Sequence, residues 1–204
     1  MIFPARCLIS GLVATASVAV AAPPVFSFMD PKGVSAVSFS VDAPLNAITG
    51  FATGFRGDVT FDPEKPESIS GTIEAPLAGV ALPNAQMRDV LMTRDWMNVD
   101  EYPVLKLEIK QARGPKLVET GVWDVTLVAE LSCRGKMTPV EMPARIRYLK
   151  GQARDRGGAR QGDLLFLRSD FVLKRSDFGI KTSGGLDKVG NDIRIGGELV
   201  GYAP

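Results

Sequence analysis

The chain has 204 residues, with 24 basic and 23 acidic side chains, two cysteines and no histidine. That length suits one all-β barrel or sandwich better than two domains, and a near-zero net charge argues against nucleic acid or an anionic membrane as the main partner. The lack of histidine excludes a His-dependent catalytic triad, a His-containing zinc site and the usual general base near neutral pH. Residues 1–21 stand apart from the rest. Arg6 is the only charge before Asp30, Leu8 to Val20 is an apolar run, and Ala19-Val20-Ala21 offers the small residues a signal peptidase reads. The run is shorter than the ~20 apolar residues of a membrane-spanning helix. The expectation is a cleaved export signal over 1–21 and a single periplasmic domain over 22–204, without stable membrane insertion; a retained anchor is the alternative. Cleavage takes Arg6 and Cys7 away, so 24 basic residues become 23 against 23 acidic ones, and Cys133 remains as a lone thiol without a disulfide partner.

In chain order, Val34 to Val41 sets Val37, Phe39 and Val41 against Ser38, Ser40 and Asp42, which is the period of a half-buried strand. Phe55 to Phe61 alternates in the same way, Asp62-Pro63-Glu64-Lys65-Pro66 turns the chain, and Ile69 to Leu77 returns as the second arm of a hairpin. From Pro83 to Val99 the period becomes helical, with Asn84 as a cap, Thr93 or Asp95 opening a second short turn, and Pro103 as the stop. Strands resume with Leu105, Leu107 and Ile109. Val122 to Arg134 is the longest: Trp123, Val125, Leu127, Ala129, Leu131 and Cys133 share one face, while Asp124, Thr126, Glu130, Ser132 and Arg134 share the other. The charged face must stay in water, since an unpaired buried charge is costly. Val140 to Tyr148 alternates again, Gly151 to Gly162 is a polar Arg/Gly loop, and Asp163 to Lys174 starts apolar on both parities, as if packed beneath the helix. Ile193 to Leu199 ends the series. Roughly eight short, regularly spaced, one-faced strands predict an all-β sandwich or barrel with a helical segment near 84–98, and a closed barrel is favoured because closure removes exposed edges.

The oily face carries many small residues, among them Gly57, Gly71, Ala75, Ala129, Cys133, Ala144 and Gly197. In an eight-stranded barrel they either leave a lumen open for one ligand or relieve crowding in a filled interior.

Five motifs in order resemble the YceI-like family. They are Thr49-Gly50 with Phe55-Arg56-Gly57 and Phe61-Asp62-Pro63; Arg88-Asp89; Asp95-Trp96-Met97-Asn98-Val99 with Tyr102-Pro103; Leu131-Ser132-Cys133-Arg134-Gly135 with Pro139-Val140; and Arg175-Ser176-Asp177-Phe178-Gly179-Ile180 with Val189-Gly190. The resemblance implies an exported, lipocalin-like antiparallel β-barrel whose apolar cavity holds a polyisoprenoid chain of quinone or prenyl phosphate type, with no established catalytic activity. The sequence departs from the family pattern at Met137, at Val34 and over Leu77 to Met87.

On this reading the lipid-binding candidates are Phe39, Phe55, Phe61, Ile73, Leu91, Met92, Trp96, Leu105, Leu107, Ile109, Val125, Leu127, Ala129, Leu131, Ile146 and Phe171, with Arg88, Asp89 and Arg175 as headgroup candidates. Leu91, Met92, Trp96 and Met97 form either a lid or ordinary core, and Arg88-Asp89 and Arg175-Asp177 are either headgroup contacts or structural pairs. Cys133 points inward as a small hydrophobe. Asp62-Pro63-Glu64 and Asp100-Glu101 lack calcium-loop spacing and are expected to be solvated turns. The Arg154, Arg156 and Arg160 loop is expected to be a hairpin connection rather than a phosphate contact. No cofactor or metal is expected. The bound partner is an isoprenoid lipid, and a homodimer stays open. Two rivals remain: a solid barrel serving as a protein interaction module, and a hydrolase or isomerase working with Asp, Glu or Tyr alone.

Overall fold

The computed structural model describes residues 22–44, 47–154, 161–181 and 189–204. Its strands are β1 (Val25–Ser27), β2 (Ala36–Val41), β3 (Ile48–Ala52), β4 (Arg56–Thr60), β5 (Ser70–Pro76), β6 (Val80–Ala81), β7 (Val104–Glu119), β8 (Val122–Cys133), β9 (Lys136–Leu149), β10 (Asp163–Lys174) and β11 (Asp192–Ala203), with one α-helix, α1 (Ala85–Met92). All neighbours pair antiparallel. The order β1-β4-β5-β7-β8-β9-β10-β11 returns to its start through Ser27 and Tyr202, so eight strands close a barrel. Closure removes the free sheet edges that a one-faced sheet of this length would otherwise expose. The export signal expected over 1–21 and the residues Arg156 and Arg160 lie outside the described residues.

The barrel has two ends of different construction. β1 pairs the C-terminal end of β11, whereas β2 pairs its N-terminal half from Ile193 to Glu198. The wall beside β11 is therefore β1 and β4 at the lower end, and β2, β3 and β6 at the upper end. The strand expected over Val34 to Val41 forms as β2 in this upper branch, and β1 takes the lower place in the ring. β1, β3 and β6 have three, five and two residues, too short for alternation to declare them.

The face assignments follow the expected parity. Along β8, Trp123, Val125, Leu127, Ala129 and Cys133 are buried, while Asp124, Thr126 and Glu130 stay partly exposed. The lower end is plugged by aromatics: Phe61 meets Trp123 edge-on at 5.6 Å between ring centroids, and Phe26 meets Tyr148 at 6.2 Å. Such pairs contribute ~0.5–1.5 kcal/mol beyond the area they bury.

Two expectations need correction, and a third is refined. The expected helical segment divides, α1 stopping at Met92 and a second set of turns following Thr93, with Asn84 capping the helix as expected by accepting from the Met87 N–H at 3.2 Å. The Thr93 hydroxyl donates to the Val90 carbonyl at 2.7 Å, and the chain folds back so that Met97 N–H reaches Leu91 O and Val99 N–H reaches Met92 O. These turns bring Trp96 and Met97 inward, which mimics a helical period. The doubly apolar start of β10 does not lie beneath α1. Leu165 and Leu167 face the barrel core, whereas Leu164 packs with Ala153 and Val200 in a separate cluster on the outer face. Finally, Gly57 and Gly71 do not make space in the lumen. Their φ values are +125° and +149°, and a Cβ at either would strike the Thr72 or Asp58 carbonyl of the paired strand. They permit the close approach of β4 and β5.

Candidate functional site

The inward residues of the upper half do not meet across the barrel. They enclose a cavity of about 500 Å³, within the ~300–1,000 Å³ typical of small-molecule sites. The walls come from β2, β5, β7, β8, β9, β10 and β11, and the roof from α1, the turns around Trp96 and Met97, and the 3-10 turns Leu77–Gly79 and Arg175–Phe178. The lumen is therefore open, not solid. Its lining is almost wholly aliphatic or aromatic, with Gln86, Ser169 and Arg175 the polar or charged members among the described residues. The roof sits loosely. No residue of α1 is buried, and Met87 and Val90 face the cavity while remaining 39% and 48% exposed. Helix faces normally bury their apolar stripe; here that stripe borders an opening.

The structure brings eleven of the expected lipid-binding residues onto this wall: Phe39, Phe55, Ile73, Leu91, Trp96, Leu105, Leu107, Ile109, Leu127, Leu131 and Phe171. Five are placed elsewhere. Phe61 and Ile146 are fully buried in the plug at the lower end, and Val125 packs just above it. Ala129 lies across the ladder from Ile109 and Val140, whose longer side chains reach the lumen past it. Met92 packs against the upper cluster but stays off the cavity wall. Inward parity was correct for Val125, Ala129, Ile146 and, one residue past β4, Phe61; their height along the barrel was not readable from it. Among the roof residues, Leu77 reads from the sequence only as a strand end, while Val80, Phe178 and Ile180 lie in a two-residue strand, a 3-10 turn and the residues just after it, which carry no period to find.

Of the headgroup candidates, Arg88 is turned toward the protein. Its guanidinium donates to the carbonyls of Val80 at 2.8 Å and Ala78 at 3.4 Å, tying α1 to the strand before it. Asp89 is exposed on α1. Arg175 reaches the cavity wall but is only 1% exposed, and it donates to the carbonyls of Gly190, Ile180, Lys181 and Val189 at 2.9–3.1 Å. Its guanidinium also lies 5.4 Å over the Trp96 ring, a cation–π distance. Burial lowers its pKa, yet a guanidinium starts so high that it keeps its charge at neutral pH. Arg134, read from the sequence as part of the strand's wet face, takes a structural role instead. It occupies the β8–β9 turn with φ +50° and donates to the carbonyls of Gly179 and Arg94, clasping the roof to the hairpin.

The carboxylate groups behave as turns. Asp62 accepts from the Glu64 N–H, and Glu101 accepts from Asn98 and Tyr102, which together hold its carboxyl below the usual range. Among the described residues no cluster of His, Cys, Asp or Glu could hold a metal ion. No helix there is long and apolar enough to cross a membrane.

Cys133 lines the cavity at 5% exposure, and burial pushes its thiol from 9.0 up to about 11. Two pKa units lower the thiolate fraction roughly a hundredfold at neutral pH. A water-soluble maleimide is therefore expected to label native protein at least that much more slowly than urea-unfolded protein. Equal rates would place the thiol outside the lumen.

The YceI-like domain model matches residues 29–200. Among solved structures, BcnA of Burkholderia cenocepacia is similar with a TM-score of 0.62 at 21% identity, covering 81% of this chain and 95% of that one. A Campylobacter jejuni YceI protein gives 0.63 at 17% identity, covering 79% and 88%. A Saccharophagus degradans domain described as polyisoprenoid-binding and implicated in plant cell wall breakdown gives 0.64 at 10% identity, covering 89% and 99%. No curated protein matches the sequence.

Proposed function

This chain belongs to the YceI-like domain family, and on that premise we propose that it is a binding protein that holds an isoprenoid lipid, of quinone or prenyl phosphate type, in its barrel. The observation that carries the reading is the apolar cavity of about 500 Å³. Water gains little there, while a prenyl tail moved into it leaves water at ~25 cal/mol per Å² of apolar surface. Few polar groups line the walls, so affinity comes from the tail, and headgroup selection is left to the rim. The polyisoprenoid-binding description of the Saccharophagus degradans domain supports the same ligand class. An enzyme reading finds no support in a lining this poor in titratable groups. The leader-like character of residues 1–21 supports export to the periplasm, where such a protein would store or carry the lipid.

Native mass spectrometry of the protein purified from its host's periplasm tests this directly. The expected spectrum carries an added apolar mass that organic extraction removes and that tandem fragmentation identifies by its isoprene repeat. A clean apo mass with a stoichiometric protein partner would overturn the carrier reading.

A further inference from the structure

The barrel wall has an unpaired stretch. β9 pairs β10 from Leu149–Leu164 down to Ala144–Ser169, and there the ladder stops. Above that point β9 continues to Lys136 paired only with β8, and β10 continues to Lys174 paired only with β11. The sequence explains the break. Arg134 and Gly135, with φ +50° and +71°, form a two-residue turn closed by Cys133 and Lys136. The closing pair of such a turn is hydrogen-bonded, so even-numbered residues of β9 direct N–H and C=O toward β8 and odd-numbered ones toward β10. Pro139 and Pro143 are odd-numbered. Each therefore faces β10 without a donor, and the two strands cannot zip. The Ser169 hydroxyl closes the lower end of the gap by donating to the Pro143 carbonyl at 2.6 Å. The upper end is bounded where Arg134 donates to Gly179.

This seam, roughly 15 Å long at the rise of a strand, runs alongside the cavity. Val140 and Met142 on one side and Phe171 and Leu173 on the other line the lumen. On the outer surface its lips carry the apolar Met137, 61% exposed, and Val172, 55% exposed, beside the charged Glu141, Asp170 and Lys174. Apolar residues thus continue from the lumen to solvent along a line where no ladder hydrogen bond has to break.

We propose that the seam between β9 and β10 is a lateral portal through which the tail of an isoprenoid lipid passes between the cavity and a lipid surface. The proposal rests on the carrier reading above. A tail sliding in sideways meets side chains it wets and a backbone edge where two prolines remove donors, whereas passage between β8 and β9 or between β10 and β11 would tear paired strands apart.

The test staples the seam shut. In a chain with Cys7→Ala and Cys133→Ala, the outward residues Glu141 and Val172 are replaced by cysteine and joined by a short bismaleimide after folding. A control carries the same linker between Arg145→Cys and Arg168→Cys, which already face each other across the paired part of the ladder. Transfer is measured from phosphatidylcholine vesicles loaded with ubiquinone-8 or undecaprenyl phosphate. The seam staple is expected to slow both loading and release roughly tenfold or more while leaving the equilibrium occupancy unchanged, and the control staple to leave the rates alone. Binding with unchanged rates in the stapled protein would overturn the portal and assign passage to the opening beside α1. Failure of the unstapled protein to bind either lipid would overturn the carrier reading and the portal with it.

Discussion

Replacing Ala75 by phenylalanine is expected to abolish isoprenoid binding while the delipidated barrel keeps its denaturant midpoint to within ~1 kcal/mol. Ala75 sits on β5 opposite Leu105, and both face the cavity. A benzyl group added there enters empty apolar space, so it loses no packing and buries some surface of its own. The ligand competes for the same volume and is excluded. Ala129→Phe gives the opposite result. Ala129 is 1% exposed and off the cavity wall, among Ile109, Val140 and the packed residues of the barrel core. Overpacking there should cost ~1–3 kcal/mol. The two variants make the same chemical change on the same face of neighbouring parts of one barrel. Urea midpoints and bound-lipid stoichiometry after refolding with excess ligand separate them. Equal destabilisation by both would mean that the lumen is filled.

That contrast also marks how far alternation carries. It assigns a side chain to the inner or outer face, and on β8 it did so correctly from Trp123 to Cys133. It says nothing of height. Leu131 at the cavity and Val125 above the plug share one parity at different heights of β8, and the stagger of the neighbouring strands decides what each one meets. The register of β8 on β7, with shifts at Ile109/Gln111 and Arg113/Lys116, is set by tertiary pairing rather than by either strand's own pattern. Strands of two or three residues leave no pattern to read, which is why β1 and β6 were missed although β1 completes the ring. The seam, by contrast, was written in the sequence. Two prolines four apart in an alternating strand announce an edge, and the strand expected from Val140 onward began just past the first of them.

Arg175→Met is expected to destabilise the delipidated protein by about 3 kcal/mol or more, because it leaves buried carbonyls without donors. The guanidinium spans acceptors on both sides of the β10–β11 connection, Ile180 and Lys181 before it and Val189 and Gly190 after it. A planar fork with five N–H groups suits four carbonyls held in one arc, and a methionine of similar length offers them nothing. Arg175→Lys keeps the charge but presents a single ammonium, which cannot reach all four at once, so roughly half the loss is expected to remain. Binding supplies the second readout. If Arg175 chiefly pins the roof, both variants bind quinone and prenyl phosphate tails with equally weakened affinity, in step with the loss of stability. A residue kept for an anionic headgroup would behave differently: Arg175→Met would leave the urea midpoint near that of the unaltered protein and weaken undecaprenyl phosphate far more than ubiquinone-8. Since its three guanidinium nitrogens already donate to the protein's own carbonyls and its face rests on Trp96, the first pattern is the one expected.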